Sequence, residues 1–331
     1  VTANDIAEPG ESRMSPSMRE LSLEQVLEPM EKAMSLVPLL GELGYEDRRS
    51  FNGLLSVTAD GGSLIGEAPE ISGLWFAEAV WVKDGPGVGK VVADWMTKGS
   101  PEYDPYGIDI ARFYPEQKQD DYVFGRCGEI AKKVYTPAVH PREPFETGRQ
   151  LFKSPFYERE VALGGYFMEA AGWERAHGYA ANEPTLLAKY RDQIPQRMHE
   201  WDSRHFWEVS NAEQLALSDD VGMVNLSHFA IYDIDGPSAE HLLEYLAVAR
   251  VGGATQVGKG VYTHFLDEKG GIRADLTIVR LSEDCFRVIC GGGTGHRDLV
   301  WIKQMAAVRN ADIEIHNRTH QLATLGLWGP N

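Results

Sequence analysis

Residues 260–281 read GVYTHFLDEKGGIRADLTIVRL. Two runs alternating between apolar and polar residues flank the paired glycines Gly270 and Gly271. Paired glycines supply the positive φ that a tight turn demands, so the stretch reads as a β-hairpin turning at Glu268 to Gly271. A turn centred on Lys269 and Gly270 sets Tyr262 opposite Thr277, with Asp275 one diagonal step away on the same face. Around this hairpin the pattern continues. AEQLALSDDVGMVNLS (212–227) reads as a helix and then a strand, FAIYDIDG (229–236) as a strand and GPSAEHLLEYLAVARV (236–251) as an amphipathic helix. CFRVICGG (285–292) is a further strand and HRDLVWIKQMAAV (296–308) a further helix. Helices mixed with hairpin-joined strands argue an α+β class rather than a doubly wound one.

The amino-terminal half is punctuated differently. Residues 1–17 are polar with Pro and Gly and read as a lead-in, and Met18 to about Leu43 has helical spacing. Short apolar runs between turn signals across 50–80 read as strands. DGPGVGKVVADWMTKG (84–99) reads as a glycine turn feeding a helix that stops at Gly99, where backbone N–H groups could face a ligand. Pro101 to Asn182 is rich in aromatics and Pro and ends in helix-like pieces around Tyr157 to Trp173; Pro184 to Trp207 reads as an exposed helical connector.

A chain of 331 residues exceeds one average domain. Its net charge of -17, with no Lys/Arg run, excludes a nucleic-acid partner, because phosphate binding needs a basic footprint. The three cysteines are too few and unevenly placed for a disulfide framework, and Cys285 and Cys290 lie in a strand-like run as buried thiols. No run approaches the ~20 apolar residues of a membrane span, and no signal peptide is visible. The expectation is a soluble cytoplasmic protein, or one of the mitochondrial matrix in a eukaryote. The start at Val1 and the stop after LATLGLWGPN lead us to expect a fragment.

Three patterns imitate catalytic motifs. GPGVGK (85–90) lacks the phosphate loop's first glycine, Asp84 standing there, and Val91 replaces the Mg²⁺-binding hydroxyl. The HRD of His296 to Asp298 has Lys303 where a kinase loop needs Asn. His316 and His320 have no third ligand near them in a strand-like stretch.

Several stretches, taken together, resemble the dimethylglycine dehydrogenase, sarcosine dehydrogenase and dimethylglycine oxidase family. These are GLLSVTADGGSLIGEAPEISGLWFA (53–77), GPGVGKVVADWMTKGSPEYDPYGIDIARF (85–113), PREPFETGRQLFKSPFYERE (141–160), GWER (172–175) and the hairpin. They occur in the family's order and span about Leu36 to Asn331. The hairpin also resembles that of the glycine-cleavage T-protein. The resemblance implies the end of a flavin-oxidoreductase domain at 1–115, a middle linker domain at 116–206 and the start of an aminomethyltransferase-like folate domain at 207–331. It implies oxidation of a small methylated amine at FAD, passage of the one-carbon unit to tetrahydrofolate, and oxygen or an electron-transfer flavoprotein as electron acceptor. The dinucleotide fingerprint that holds FAD is absent, so FAD is expected in the complete parent and not in this chain alone. A stand-alone tetrahydrofolate aminomethyltransferase and a non-catalytic folate-binding subunit of a separate flavoprotein are the competing readings.

Residue by residue, Asp275 matches the T-protein family's catalytic aspartate, against a plain hairpin carboxylate. Tyr262 matches a pterin-lining position, against strand packing; Leu226 and Thr277 match further lining positions, against core residues. Gly85, Gly87 and Gly89 match the glycine loop at the flavin, against a tight turn needing positive φ. The family's G-x-N-S-x-G positions are FAEAVW here, Phe76 to Trp81, which implies a reshaped amine pocket. Arg149 and the Trp173-Glu174-Arg175 cluster read as structural.

Overall fold

The computed structural model describes residues 18–19, 21–43, 50–53, 55–135, 144–199, 202, 205–252 and 255–331. The lead-in expected at 1–17 lies outside them. Strand β1 (Met18–Arg19) pairs with β2 (Asn52–Gly53), and between them lie helices α1 (Leu23–Leu36) and α2 (Leu39–Leu43). Pro38 separates the two helices, since it can neither donate a hydrogen bond nor let the residue before it stay helical. Strands β3 (Leu64–Glu67) and β4 (Trp75–Glu78) form an antiparallel pair that packs on α3 (Gly85–Lys98), burying Ile65 against Val88 and Val92.

The expected glycine turn is corrected here. Gly85, Gly87 and Gly89 lie inside the first turns of α3 and none has positive φ. Pro86 near the first helical position starts the helix, and its preset φ outweighs the flexibility of the glycines. The helix ends as expected, at Gly99 in the left-handed conformation with φ 79°.

Two 3₁₀ turns, Ile110–Arg112 and Pro115–Lys118, lead into α4 (Asp120–Tyr135). Next come α5 (Tyr157–Ala162) and a hairpin of β5 (Gly165–Ala170) and β6 (Trp173–Tyr179). Only the beginning of the Tyr157 to Trp173 stretch is therefore helical. Gly164 turns the chain out of α5 at φ 70°, and Ala171 and Gly172, both at positive φ, make a two-residue strand turn. The connector forms α6 (Glu183–Tyr190), whose Tyr190 is buried and bonds Asp219, so it is packed on one side rather than exposed throughout.

The carboxyl-terminal region carries α7 (Trp207–Asp219), β7 (Gly222–Asn225), β8 (Ala230–Asp235), α8 (Ala239–Leu246), β9 (Gly260–Leu266), β10 (Ile272–Arg280), β11 (Cys285–Cys290), α9 (Gly295–Val308), β12 (Glu314–Asn317) and β13 (Leu325–Trp328). Its main sheet is antiparallel in the order β12-β8-β11-β10-β9, while β13 pairs with β7. One face of the sheet buries Tyr232, Ile234, Leu276, Ile278, Phe286 and Val288 against Leu242, Leu243 and Leu246 of α8 and Ile302 of α9. Each such side chain contributes about 1.5–3 kcal/mol on full burial, which makes this the main core. The α+β class is as expected.

The segment before α4 is tied to this sheet. Asp104 meets Arg273 at 3.0 Å and also pairs with Arg297, which lies 3.3 Å from Asp109. Tyr114 donates to the Gly292 carbonyl at 2.6 Å, and the His296 Nδ1 sits 2.8 Å from the Ala111 carbonyl.

Candidate functional site

The β9–β10 hairpin has the register its turn implies: Tyr262 faces Thr277 and His264 faces Asp275. Thr263, Phe265, Ala274, Leu276 and Ile278 point into the core, so the alternate residues Tyr262, His264, Asp275 and Thr277 share the opposite face. A bulge between Ile272 and Ala274 turns Arg273 the other way, over the Trp301 ring and onto Asp104.

On the open face the Tyr262 hydroxyl donates to Asp275 Oδ2 at 2.7 Å across the diagonal. That bond to a carboxylate raises the Tyr262 phenol above its ordinary range. Tyr262 is 64% exposed, Asp275 is exposed and Thr277 is half-buried, so the three form an accessible shelf. The His264 ring stands edge-on to Tyr262, with centroids 5.4 Å apart. Such a group can stack a flat ring on Tyr262, accept N–H groups at the carboxylate and hold a proton there. His264 was not singled out from sequence, although the period of two that placed Tyr262 and Asp275 on one face places it there as well.

The other residues stand apart. Leu226 is half-buried, donates its N–H to the Thr324 carbonyl and lines a separate cavity of about 520 Å³ bounded by β6, α7 and β7. Gly85, Gly87 and Gly89 face open space, since a Cβ added at any of them meets nothing within 4 Å. The hairpin turn meets the chain beyond the far end of α3, where Lys269 Nζ donates to the Pro101 carbonyl at 3.1 Å, about 20 Å of helix from Gly85. In the FAEAVW stretch, Phe76 pairs with Gly66 across β3–β4 and the Trp81 indole donates to the Ser56 carbonyl at 3.3 Å.

The imitating motifs are structural. Arg297 is fixed by Asp104 and Asp109, and Asp298 accepts from the Thr294 hydroxyl at 2.7 Å. Burial pushes the Asp298 carboxyl up to about 6. His320 stacks on Trp173 and packs on Phe152. Among the described residues no group of His, Cys, Asp or Glu could hold a metal, and no helix is long and apolar enough to cross a membrane. Arg149 grips Glu174 through two bonds, of 2.7 and 2.5 Å, as a structural role requires.

The family model described as the GCVT N-terminal domain matches residues 156–331, and that of the FAD dependent oxidoreductase central domain matches residues 98–154. The chain is 31% identical over 303 residues to 4-methylaminobutanoate oxidase (formaldehyde-forming) of Paenarthrobacter nicotinovorans, covering 90% of this chain and 35% of that protein. It is 27% identical to the mitochondrial dimethylglycine dehydrogenase of Rattus norvegicus over 94% of this chain and 35% of the relative. With the mitochondrial sarcosine dehydrogenase of Mus musculus it shares 26% identity over 91% of this chain and 36% of the relative. The chain thus spans about a third of the length of these curated relatives.

Proposed function

This chain belongs to the family of the GCVT N-terminal domain, whose model covers 156–331, and on that premise we propose that it is part of a flavin- and tetrahydrofolate-dependent oxidative N-demethylase of a small methylated amine, of the dimethylglycine or sarcosine type. The observation that carries the proposal is the 2.7 Å bond between Tyr262 and Asp275 on the open hairpin face. Tetrahydrofolate, when bound, supplies the nucleophilic nitrogens that take up the one-carbon unit. The donor set suits it. The Asp275 carboxylate accepts from ring N–H groups and takes a proton from the reacting nitrogen, while the Tyr262 hydroxyl keeps that carboxylate oriented. Thr277 borders the same shelf, whereas Leu226 lines a separate cavity and is left out of the site.

FAD belongs to the complete parent. The open space along Gly85, Gly87 and Gly89 leaves room for its flat ring system, whereas Asp84 at the helix N-cap disfavours its phosphates. A two-site chain suits the chemistry, because an iminium or formaldehyde released into water would be lost. The division into 1–115, 116–206 and 207–331 is part of this reading. So are oxygen or an electron-transfer flavoprotein as acceptor, and a cytoplasmic or mitochondrial-matrix location.

The test uses a parent enzyme containing this chain. Asp275→Asn should leave amine oxidation nearly intact and lower one-carbon transfer to tetrahydrofolate by about 10²–10⁴-fold, with formaldehyde accumulating instead. Coupling equal to wild type would defeat the assignment of Asp275.

A further inference from the structure

His264 is half-buried on β9 of the hairpin, and its backbone carbonyl is engaged by Val248 and Thr263. Its imidazole rests edge-on against Tyr262 and forms no hydrogen bond or ion pair among the described residues. A neutral imidazole carries one N–H donor and one acceptor, and a charged one carries two donors, so an unspent donor is present in every state.

The register sets this donor beside a free acceptor. His264 faces Asp275 directly across β9–β10, and such partners have Cβ atoms roughly 4.5–5.5 Å apart. Asp275 Oδ2 is taken by the Tyr262 hydroxyl at 2.7 Å, which leaves Oδ1 without a partner among the described residues. The other donors of this face are spent or stand further off. Tyr262 gives its hydrogen to Asp275. Arg273 is turned away onto Asp104. Arg287, on the same side of the sheet, is held by Asp233 through bonds of 2.7 and 3.0 Å. The Thr277 hydroxyl remains, but Thr277 faces Tyr262, two residues along β10 from Asp275.

An acceptor and a donor side by side complement a ring edge that carries N–H beside C=O. The imidazole lies at 71° to the Tyr262 ring, so a plane stacked on Tyr262 meets it at the steep angle of an edge contact and not as a second stack. We propose that His264 is a specificity-determining residue of this site, donating to a ring carbonyl that lies next to the N–H held by Asp275. The inference rests on the folate reading of the hairpin, since tetrahydrofolate presents such an edge, with its reacting nitrogen beside the ring carbonyl. A site that pairs both groups favours a heterocycle bearing the carbonyl over one that lacks it, because the unmatched imidazole then loses its partner on losing water.

Calorimetric titration of a parent enzyme containing this chain, with no amine present, compares tetrahydrofolate with an analogue in which hydrogen replaces the ring carbonyl. Wild type should bind tetrahydrofolate about two- to tenfold more tightly, the size of one hydrogen bond between neutral groups. His264→Phe keeps a ring beside Tyr262 but has no N–H, and should bind the two ligands about equally. His264→Gln, which can still donate, should keep part of the preference, and Thr277→Val all of it. A merely structural role for His264 would weaken both ligands alike and leave their ratio unchanged. Equal binding by wild type, a wild-type ratio in His264→Phe, or a ratio lost in Thr277→Val instead would overturn the inference. Tyr262→Ala is titrated alongside to separate the two readings. If wild type does not bind tetrahydrofolate saturably, or Tyr262→Ala binds it as well as wild type, the folate reading itself fails. If Tyr262→Ala weakens binding while the ratio survives in His264→Phe, the inference about His264 fails alone.

Discussion

Exchanging Arg126 and Glu169, singly and together, tests what joins α4 to the β5–β6 hairpin. Arg126 Nη1 donates to Glu169 Oε2 at 2.6 Å, with the two side chains only 3% and 2% exposed. Arg126 Nη2 also donates to the Thr147 carbonyl at 2.7 Å, and the guanidinium lies 4.0 Å from the centroid of Phe145. Glu169 Oε1 accepts the N–H of Gly172 in the hairpin turn. Arg126→Met strands a carboxylate in the interior and orphans the Thr147 carbonyl, while Glu169→Gln strands the guanidinium. Removing one partner of a buried pair typically costs about 3–5 kcal/mol, because the desolvation penalty of the other charge is no longer offset. The double variant contains neither charge, and Gln still presents an oxygen to Gly172. It should lie within about 2 kcal/mol of wild type, giving a coupling of about 4 kcal/mol or more in the cycle. Urea unfolding followed by circular dichroism and by tryptophan fluorescence measures this, provided the two transitions coincide. A double variant as unstable as the sum of the singles would show that the pair is not coupled, and the account of this junction would fall.

Two further perturbations probe the fold. Burial raises the Asp298 carboxyl from 3.8 to about 6, so the folded chain binds that proton more tightly than the unfolded chain, and stability should fall as pH climbs through this window and level off above it. Asp298→Asn should remove most of the fall, at most about 3 kcal/mol at 1.36 kcal/mol per unit, and identical pH profiles for the two proteins would contradict it. Gly99→Ala meets only open space at φ 79° and should cost about 1 kcal/mol. Gly66→Ala at φ 113° would press on Trp95 at 2.9 Å and should cost distinctly more; equal melting points would disprove the contact.

What could be read from the sequence was local, and what could not was either long-range or a contest between neighbouring signals. The hairpin was legible to its register because alternation and the glycine pair both act within 22 residues, 260 to 281. Gly99 was legible as a stop because left-handed backbone favours glycine. At Gly85 to Gly89 the same residue type misled, because the preset φ of Pro86 prevails over the turn the glycines suggest, and packing of Val88 and Val92 on Ile65 adds to it. The stretch Tyr157 to Trp173 failed for a related reason. Ala171 takes positive φ against its preference, which the pairing of β5 with β6 enforces and composition does not announce. Glu174 shows the limit most clearly. It is buried only because it pairs with Arg149, 25 residues away in the chain, just as Glu213 accepts from Asn182, 31 residues away. Such pairings arise only once the chain is folded, and no window of sequence around GWER contains the partners.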